Sequence, residues 1–342
     1  MQDLESTFEP TPDIRLAGML CLPEDASTTS RAPGVVLLGG TRGDTRDGDM
    51  APERSPGFVA PPKRGLLRRI AHRLAHAGVA SLRFDKRGCG QSGGHAEESD
   101  YDTDLIDNLA AVRYLRTRPE IDATRVGVIG HSAGAFNACL VCREMPDLAC
   151  AGLLGALYGS IEDLIEWNWG RVRTLWPELV DEQRAWLVEN RPRDVVGAFN
   201  TRAFVDAARA GQHTVRLAAH GAAMDFDLVR FRQDMLRPVA DEFRHVRCPA
   251  LVLHGGSDMN VRVEDCLGTY QAVRATGNED VDLIIIPGLD HSFQPVDRDP
   301  ARRAWDRMTL ATMGRPVSRR ALDEIAGWAV RVLQPGVHAE GS

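Results

Sequence analysis

Gly130-His131-Ser132-Ala133-Gly134 is the arrangement in this 342-residue chain with the clearest chemical content. It follows an apolar run, RVGVIGH, and precedes an apolar helical stretch, AGAFNACLVCREM. A serine on a sharp strand-to-helix turn holds its hydroxyl clear of the sheet, and small flanking residues let the backbones close in around it. A serine hydroxyl near neutral pH is a weak nucleophile and needs a base within hydrogen-bond reach. Of the ten histidines, His291 in PGLDHSF lies just past the last buried run, at the end of a parallel sheet where active sites gather. His254 stands inside an apolar run and reads as a buried, hydrogen-bonded ring. The base in turn needs a carboxylate to orient it. Asp258 ends ALVLHGGSD, while Asp290 adjoins His291 and side chains of neighbours diverge; Glu162 and Asp163 are further candidates. Ser132, Asp258 and His291 are therefore expected as nucleophile, acid and base. The Ala133 N–H, at a helix start, and the Thr41 N–H, in a loop after the first buried run, are expected to bind a developing oxyanion. The spacings GxGxxG and GxxxxGK[ST] are both absent, which argues against a nucleotide site.

The elements that must position these residues follow a simple pattern. Short apolar runs at 34–40, 79–85, 125–131, 149–158, 250–255 and 281–287 alternate with helical segments at 63–77, 101–118, 132–144, 264–276 and 318–333. Such alternation predicts an α/β fold with a mostly parallel sheet covered by helices on both faces. Residues 14–22 alternate in polarity and read as an antiparallel edge strand. Residues 160–247 break the pattern. They contain no convincing buried strand, hold four of the six tryptophans and are too long for a structureless loop. A helical lid inserted before the strand that carries the acid is expected there. The division is thus 1–159 and 248–334 as core, 160–247 as lid and 335–342 as tail. Trp167, Trp169 and Trp176 would wall an acyl pocket, anchor the lid to the core, or meet a second copy in a homodimer.

Composition bounds the rest. Apolar residues make up 43% and charged residues 26%, ordinary for a globular domain. A net charge of −7 gives no footprint for nucleic acid or anionic membrane. All 41 basic residues but Lys63 and Lys86 are arginine, scattered rather than clustered, which reads as compositional bias. The seven cysteines are odd in number, and Cys139 and Cys142 share the face of an apolar helix, so they read as small buried hydrophobes rather than metal ligands. The first residues have neither a basic nor an apolar leader region, and no apolar run approaches roughly 18 residues. A cytoplasmic protein with a small-molecule substrate and neither metal nor organic cofactor is expected.

These motifs resemble the α/β-hydrolase superfamily, and most closely its esterase, dienelactone-hydrolase and prolyl-peptidase-related branch. The resemblance rests on GHSAG, on the loop GGTRGDTRDG (39–48) with its D-R-D-G-like end, and on RFDKRGCGQS (83–92). It covers the core and not residues 160–247. It implies nucleophile Ser132, acid Asp258, base His291 and oxyanion donors Ala133 and Thr41, in the chain order of that fold. Gly39 departs from the histidine common at that position, which bears on the contacts of the loop. In 83–92, Asp85 and Arg87 are expected to brace a tight turn. The activity implied is acyl transfer from an ester, thioester or activated amide to water. Carbon–carbon cleavage and transfer to a small acceptor use the same groups. A peptidase would set Glu162, Asp163 and Glu166 against a free amino terminus, and a non-catalytic binding protein would occupy the same fold.

Overall fold

In the computed structural model, which describes residues 1–41, 45–50, 63–96, 99–237 and 239–334, a single large sheet organises the chain. Its strands are β1 (Gln2–Thr11), β2 (Ile14–Leu22), β3 (Ala32–Leu38), β4 (Ala80–Phe84), β5 (Ile121–His131), β6 (Ala151–Leu154), β9 (Ala250–Gly255) and β10 (Val281–Ile286), in the order β1-β2-β4-β3-β5-β6-β9-β10. From β4 to β10 every neighbouring pair is parallel, and β1 and β2 add an antiparallel margin. The fold is the mostly parallel α/β-hydrolase sheet.

Alternation along β3 shows how the two faces are filled. Val35 and Leu37 pack with α1 (Leu66–His76) and α12 (Arg319–Leu333), around Ile70, Leu74, Ile325 and Trp328. Val36 and Leu38 join the opposite cluster with α2 (Tyr101–Thr117), α3 (Ala133–Glu144) and α10 (Val263–Arg274), around Val112, Leu115, Val141 and Val273. A central strand buried on both faces reads as an unbroken apolar run for this reason. Cys139 and Cys142 are buried in α3 within that second cluster.

Several expectations need correction. The strand at 14–22 is not the edge: β1 pairs along it, Gln2 opposite Leu22 through Thr11 opposite Ile14. QDLESTFEPT buries only Ser6 and Phe8 on one face, and an edge strand can afford that polarity, which hid it from a search for apolar runs. The run 149–158 yields only the four residues of β6. The chain leaves the sheet at Gly155, where φ is 58° and a Cβ would stand 3.1 Å from the His291 ring.

Between β6 and β9 lie α4 (Ile161–Leu175), α5 (Asp181–Asn190), α6 (Pro192–Phe199), α7 (Thr201–Arg209), α8 (Val229–Leu236) and α9 (Val239–Glu242). They are not alone. An antiparallel hairpin, β7 (Thr214–Ala219) and β8 (Ala222–Asp227), sits among them, closed by His220 and Gly221 with φ of 50° and 85°. Positive φ at both turn residues matches the right-handed twist of a two-residue hairpin. Its strands expose most of their side chains, so no buried strand was legible there. This region has its own core, in which Trp169, Val195, Phe204 and Phe226 pack with Ala304 and Met308 of α11 (Pro300–Met308). Residues 42–44 of the loop after β3 and the tail at 335–342 lie outside the described residues. Among the described residues no helix is long and apolar enough to cross a membrane.

Candidate active site

Ser132 ends the path of β5 and caps α3 with φ 59° and ψ −124°. A non-glycine residue in that conformation stores roughly 1–3 kcal/mol of backbone strain. The surroundings hold it there: its N–H donates to the Leu154 carbonyl at 2.8 Å, and its carbonyl accepts from Ala135 N–H at 2.9 Å. The flanking glycines are required by contact. A Cβ at 130 would stand 1.9 Å from the Gly134 carbonyl oxygen, and one at 134 would stand 2.2 Å from that of Leu38. The turn is thus wedged between the end of β3 and its own helix. Ala133 is the first residue of α3.

Asp258 follows β9, and His291 lies beyond β10. The His291 Nδ1 stands 2.6 Å from Asp258 Oδ2. An ionised carboxylate only accepts, so Nδ1 carries the proton and Nε2 is left free to act as base. Asp258 Oδ1 accepts from the N–H groups of Asn260 at 2.6 Å and Val261 at 3.0 Å. Burial pushes this carboxyl up, but the charge and hydrogen bond of His291, with His254 and Val261 behind them, hold it below the usual carboxylate range. Among the described residues no hydrogen bond joins the Ser132 hydroxyl to the ring. Ser132 and His291 instead face one cavity of about 630 Å³, which Gly40 and Thr41 also line. Such contacts commonly tighten only with substrate in place.

Two histidines buttress the pair, and one of them was overlooked in the sequence. His131, the variable residue of the GxSxG turn, donates from Nε2 to the His291 carbonyl at 2.7 Å and so pins the loop that bears the base. Burial drives its pKa down to about 3, and the neighbouring His291 adds to this, so the ring is neutral. His254 is fully buried, with Nε2 3.4 Å from Asp258 Oδ2 and 3.2 Å from the Val261 carbonyl. Lys86 is a second addition. It donates to the Gly40 carbonyl at 2.6 Å and pairs with Asp104 at 3.3 Å, which fixes the loop before Thr41. Beside it, Asp85 accepts from Arg46 and from Gln91 N–H, and Arg87 pairs with Asp107 at 2.6 Å. Both residues brace the turn and neither lines the cavity.

The remaining carboxylate candidates are engaged elsewhere. Asp290 accepts from Ser292 and Gln294 N–H within its own loop, and burial raises its pKa. Glu162 pairs with Arg209 at 3.0 Å, Asp163 accepts from Ser160 Oγ at 2.8 Å, and Glu166 pairs with Arg173. None of those three lines the cavity, so they do not supply the acidic pocket that the alternative peptidase reading would set against an amino terminus. Of the alternatives for the tryptophans, pocket lining needs correction, for Trp167, Trp169 and Trp176 are all absent from the cavity wall. Trp169 is buried against Phe204 and Phe226, Trp176 meets Phe199 edge-to-face and lies tilted against His220, and Trp167 is 39% exposed beneath Arg171. Trp169 and Trp176 turn their apolar area to the core of the inserted region. In their place the wall carries Arg64, Arg191, Arg193, Arg303 and Arg307.

The geometry agrees with what the chain is similar to. The fold matches an α/β hydrolase, GrgF, from Penicillium sp. sh18, with a TM-score of 0.58 at 16% identity over 97% of this chain and 99% of that one. It matches Est1E from Butyrivibrio proteoclasticus, solved with ferulic acid, with a TM-score of 0.54 at 18% identity over 91% and 100%. An esterase of Pyrococcus furiosus, Pf2001, gives 0.54 at 16% identity over 96% and 90%. The sequence profile of a family described as "Serine aminopeptidase, S33" matches residues 63–298. With well over half its length matched, the chain belongs to that family of α/β-hydrolase enzymes.

Proposed function

We propose that the protein is a serine hydrolase that cleaves an ester, thioester or activated amide of a small molecule through an acyl-enzyme. The observation that carries this is the 2.6 Å pairing of Asp258 with His291 at the cavity where Ser132 sits on its strained turn. The Ser132 hydroxyl attacks the carbonyl carbon while His291 Nε2 takes its proton. Asp258 keeps the proton of the ring on Nδ1 and stabilises the imidazolium. The N–H groups of Ala133 and Thr41 hold the oxyanion, a contribution of roughly 10²-fold or more per donor. The imidazolium then protonates the leaving group as the carbon–heteroatom bond breaks. Water, deprotonated by the same ring, releases the acid and restores the serine.

The test is labelling by a fluorophosphonate beside Ser132→Ala, followed by turnover of an ester and thioester panel. Loss of labelling in the variant, with loss of turnover on every substrate the parent accepts, is the expected result. Equal labelling of both proteins would remove Ser132 from its role. Products of a single turnover distinguish water from another acyl acceptor and acyl cleavage from carbon–carbon cleavage.

A further inference from the structure

Among the described residues the cavity lining is cationic: five arginines stand against Glu189, Asp194 and Asp290. Asp194 is held by Arg191 at 2.8 Å, Asp290 by backbone N–H groups, and Glu189 is exposed. On α11, Asp306 takes Arg302 at 2.8 Å and Arg315 at 2.5 Å. Arg303 and Arg307, one turn apart on that helix, meet the loop that carries the acid: Arg303 donates to Ser257 Oγ at 3.3 Å and Arg307 to Asn260 Oδ1. Among the described residues neither makes an ion pair, and the buried Nε of Arg303 has no acceptor. Arg193 lies over the Phe226 ring at 5.0 Å, likewise without a carboxylate.

Cations withdrawn from water without a paired carboxylate lose hydration that nothing in contact replaces. Their burial shows in their affinity for protons. Burial lowers the pKa of Arg193 and of Arg307, where Arg191 adds repulsion, and burial with Arg307 nearby brings Arg171 down to about 9; the more distant charges of Asp194, Asp227, Asp258 and Asp290 pull the other way without restoring the usual values. A neutral acyl chain would leave that cost standing, and an ammonium group would add to it. A small anion cancels it. Two guanidinium forks spaced by one helical turn also suit the planar, two-oxygen geometry of a carboxylate.

We propose that the cavity selects substrates bearing a free carboxylate, held by Arg303 and Arg307 on the acid side of the site: half-esters or half-thioesters of dicarboxylic acids. This specificity rests on the hydrolase reading above. The carboxylate stays intact while the distal acyl bond is cleaved at Ser132. It cancels charge on binding and belongs to the ground state and the transition state alike, so its contribution falls mainly on KM.

The experiment compares the 4-nitrophenyl half-ester of adipic acid with 4-nitrophenyl heptanoate. The parent enzyme is expected to favour the half-ester at least tenfold in kcat/KM. Arg307→Gln and Arg303→Gln are each expected to raise KM for the half-ester about tenfold while changing it less than threefold for heptanoate. Arg320→Ala, on the exposed face of α12, keeps the preference. In parallel, millimolar adipate should raise the Tm of the Ser132→Ala protein and fail to do so when Arg307→Gln is added. Hydrolysis with equal efficiency on both esters, or a preference that survives both arginine variants, overturns the proposal and leaves the serine hydrolase standing. Failure to hydrolyse either ester, with the adipate shift present and dependent on Arg307, removes the hydrolase reading and keeps the anion site. A Tm rise with inorganic phosphate as large as that with adipate overturns the assignment to a carboxylate.

Discussion

The carboxyl edge of the sheet and the wall that faces it are built on opposite terms. At the edge the carboxylate is fully engaged: Asp258 takes His291, two backbone N–H groups and His254, and His131 ties down the loop of His291. Backbones approach too closely there for even a methyl group at 130 or 134. Across the cavity, the apolar groups of the inserted region turn away into a core of their own, and among the described residues Arg193, Arg303 and Arg307 at the wall have no paired carboxylate. The edge is closely packed and its carboxylate held from several sides, which suits groups that must stay aligned through a reaction. The wall is unsatisfied, which suits a surface completed by its ligand. The proposed chemistry and the proposed selectivity thus fall in separate layers, and a variant in one should spare the other.

The sharpest way to break that division is Asp258→Asn. It keeps an acceptor for the backbone N–H groups but withdraws the charge and favours the wrong tautomer of His291, so turnover of the best ester should fall about 10⁴-fold. A smaller kinetic loss accompanied by unfolding would mean that the edge is structural first. Next in size is Trp169→Ala in the inserted region. Removing a buried ring should cost roughly 3–5 kcal/mol in urea unfolding, while the rate of fluorophosphonate labelling in the cold changes less than tenfold. A collapse of labelling under folded conditions would join the two layers again.

Acid is the third probe. The unfolded His131 ring takes a proton that the folded ring refuses, its pKa falling from 6.5 to about 3 on burial. Folding stability should therefore be complete above pH 6.5 and drop as pH falls toward 3, by at most about 1.4 kcal/mol per pH unit from this group. His254 is shifted in the same sense by burial, and Asp290, whose pKa burial raises, acts in the opposite one. His131→Asn, which can still donate to the His291 carbonyl, should flatten the slope in urea melts between pH 7 and pH 4; an unchanged slope would place its origin elsewhere. The smallest effect is expected of Trp167→Ala. Stability should move by about 0.5 kcal/mol or less, with KM for any ester within threefold. A larger change in KM would return this tryptophan to the binding surface.

The amino-acid sequence by itself determined the alternation of strands and helices, the turn around Ser132, and the placing of Asp258 and His291 after successive strands. Those features are local. A strand buried on both faces must be apolar throughout, and a serine at a wedged strand–helix junction needs glycine on either side. What only the tertiary structure decided is which residues face the cavity. The tryptophans of 160–247, large and apolar, read equally as pocket walls or as anchors, and for Trp169 burial in the core of that region is the stronger demand. The edge strand β1 and the hairpin β7–β8 escaped notice because half-exposed strands carry polar residues on their open faces. Arg64, Arg193, Arg303 and Arg307 looked scattered, being separated by as many as 243 positions. Such groups come together only when the chain folds, because their neighbourhood is set by packing between elements and not by spacing along any one of them.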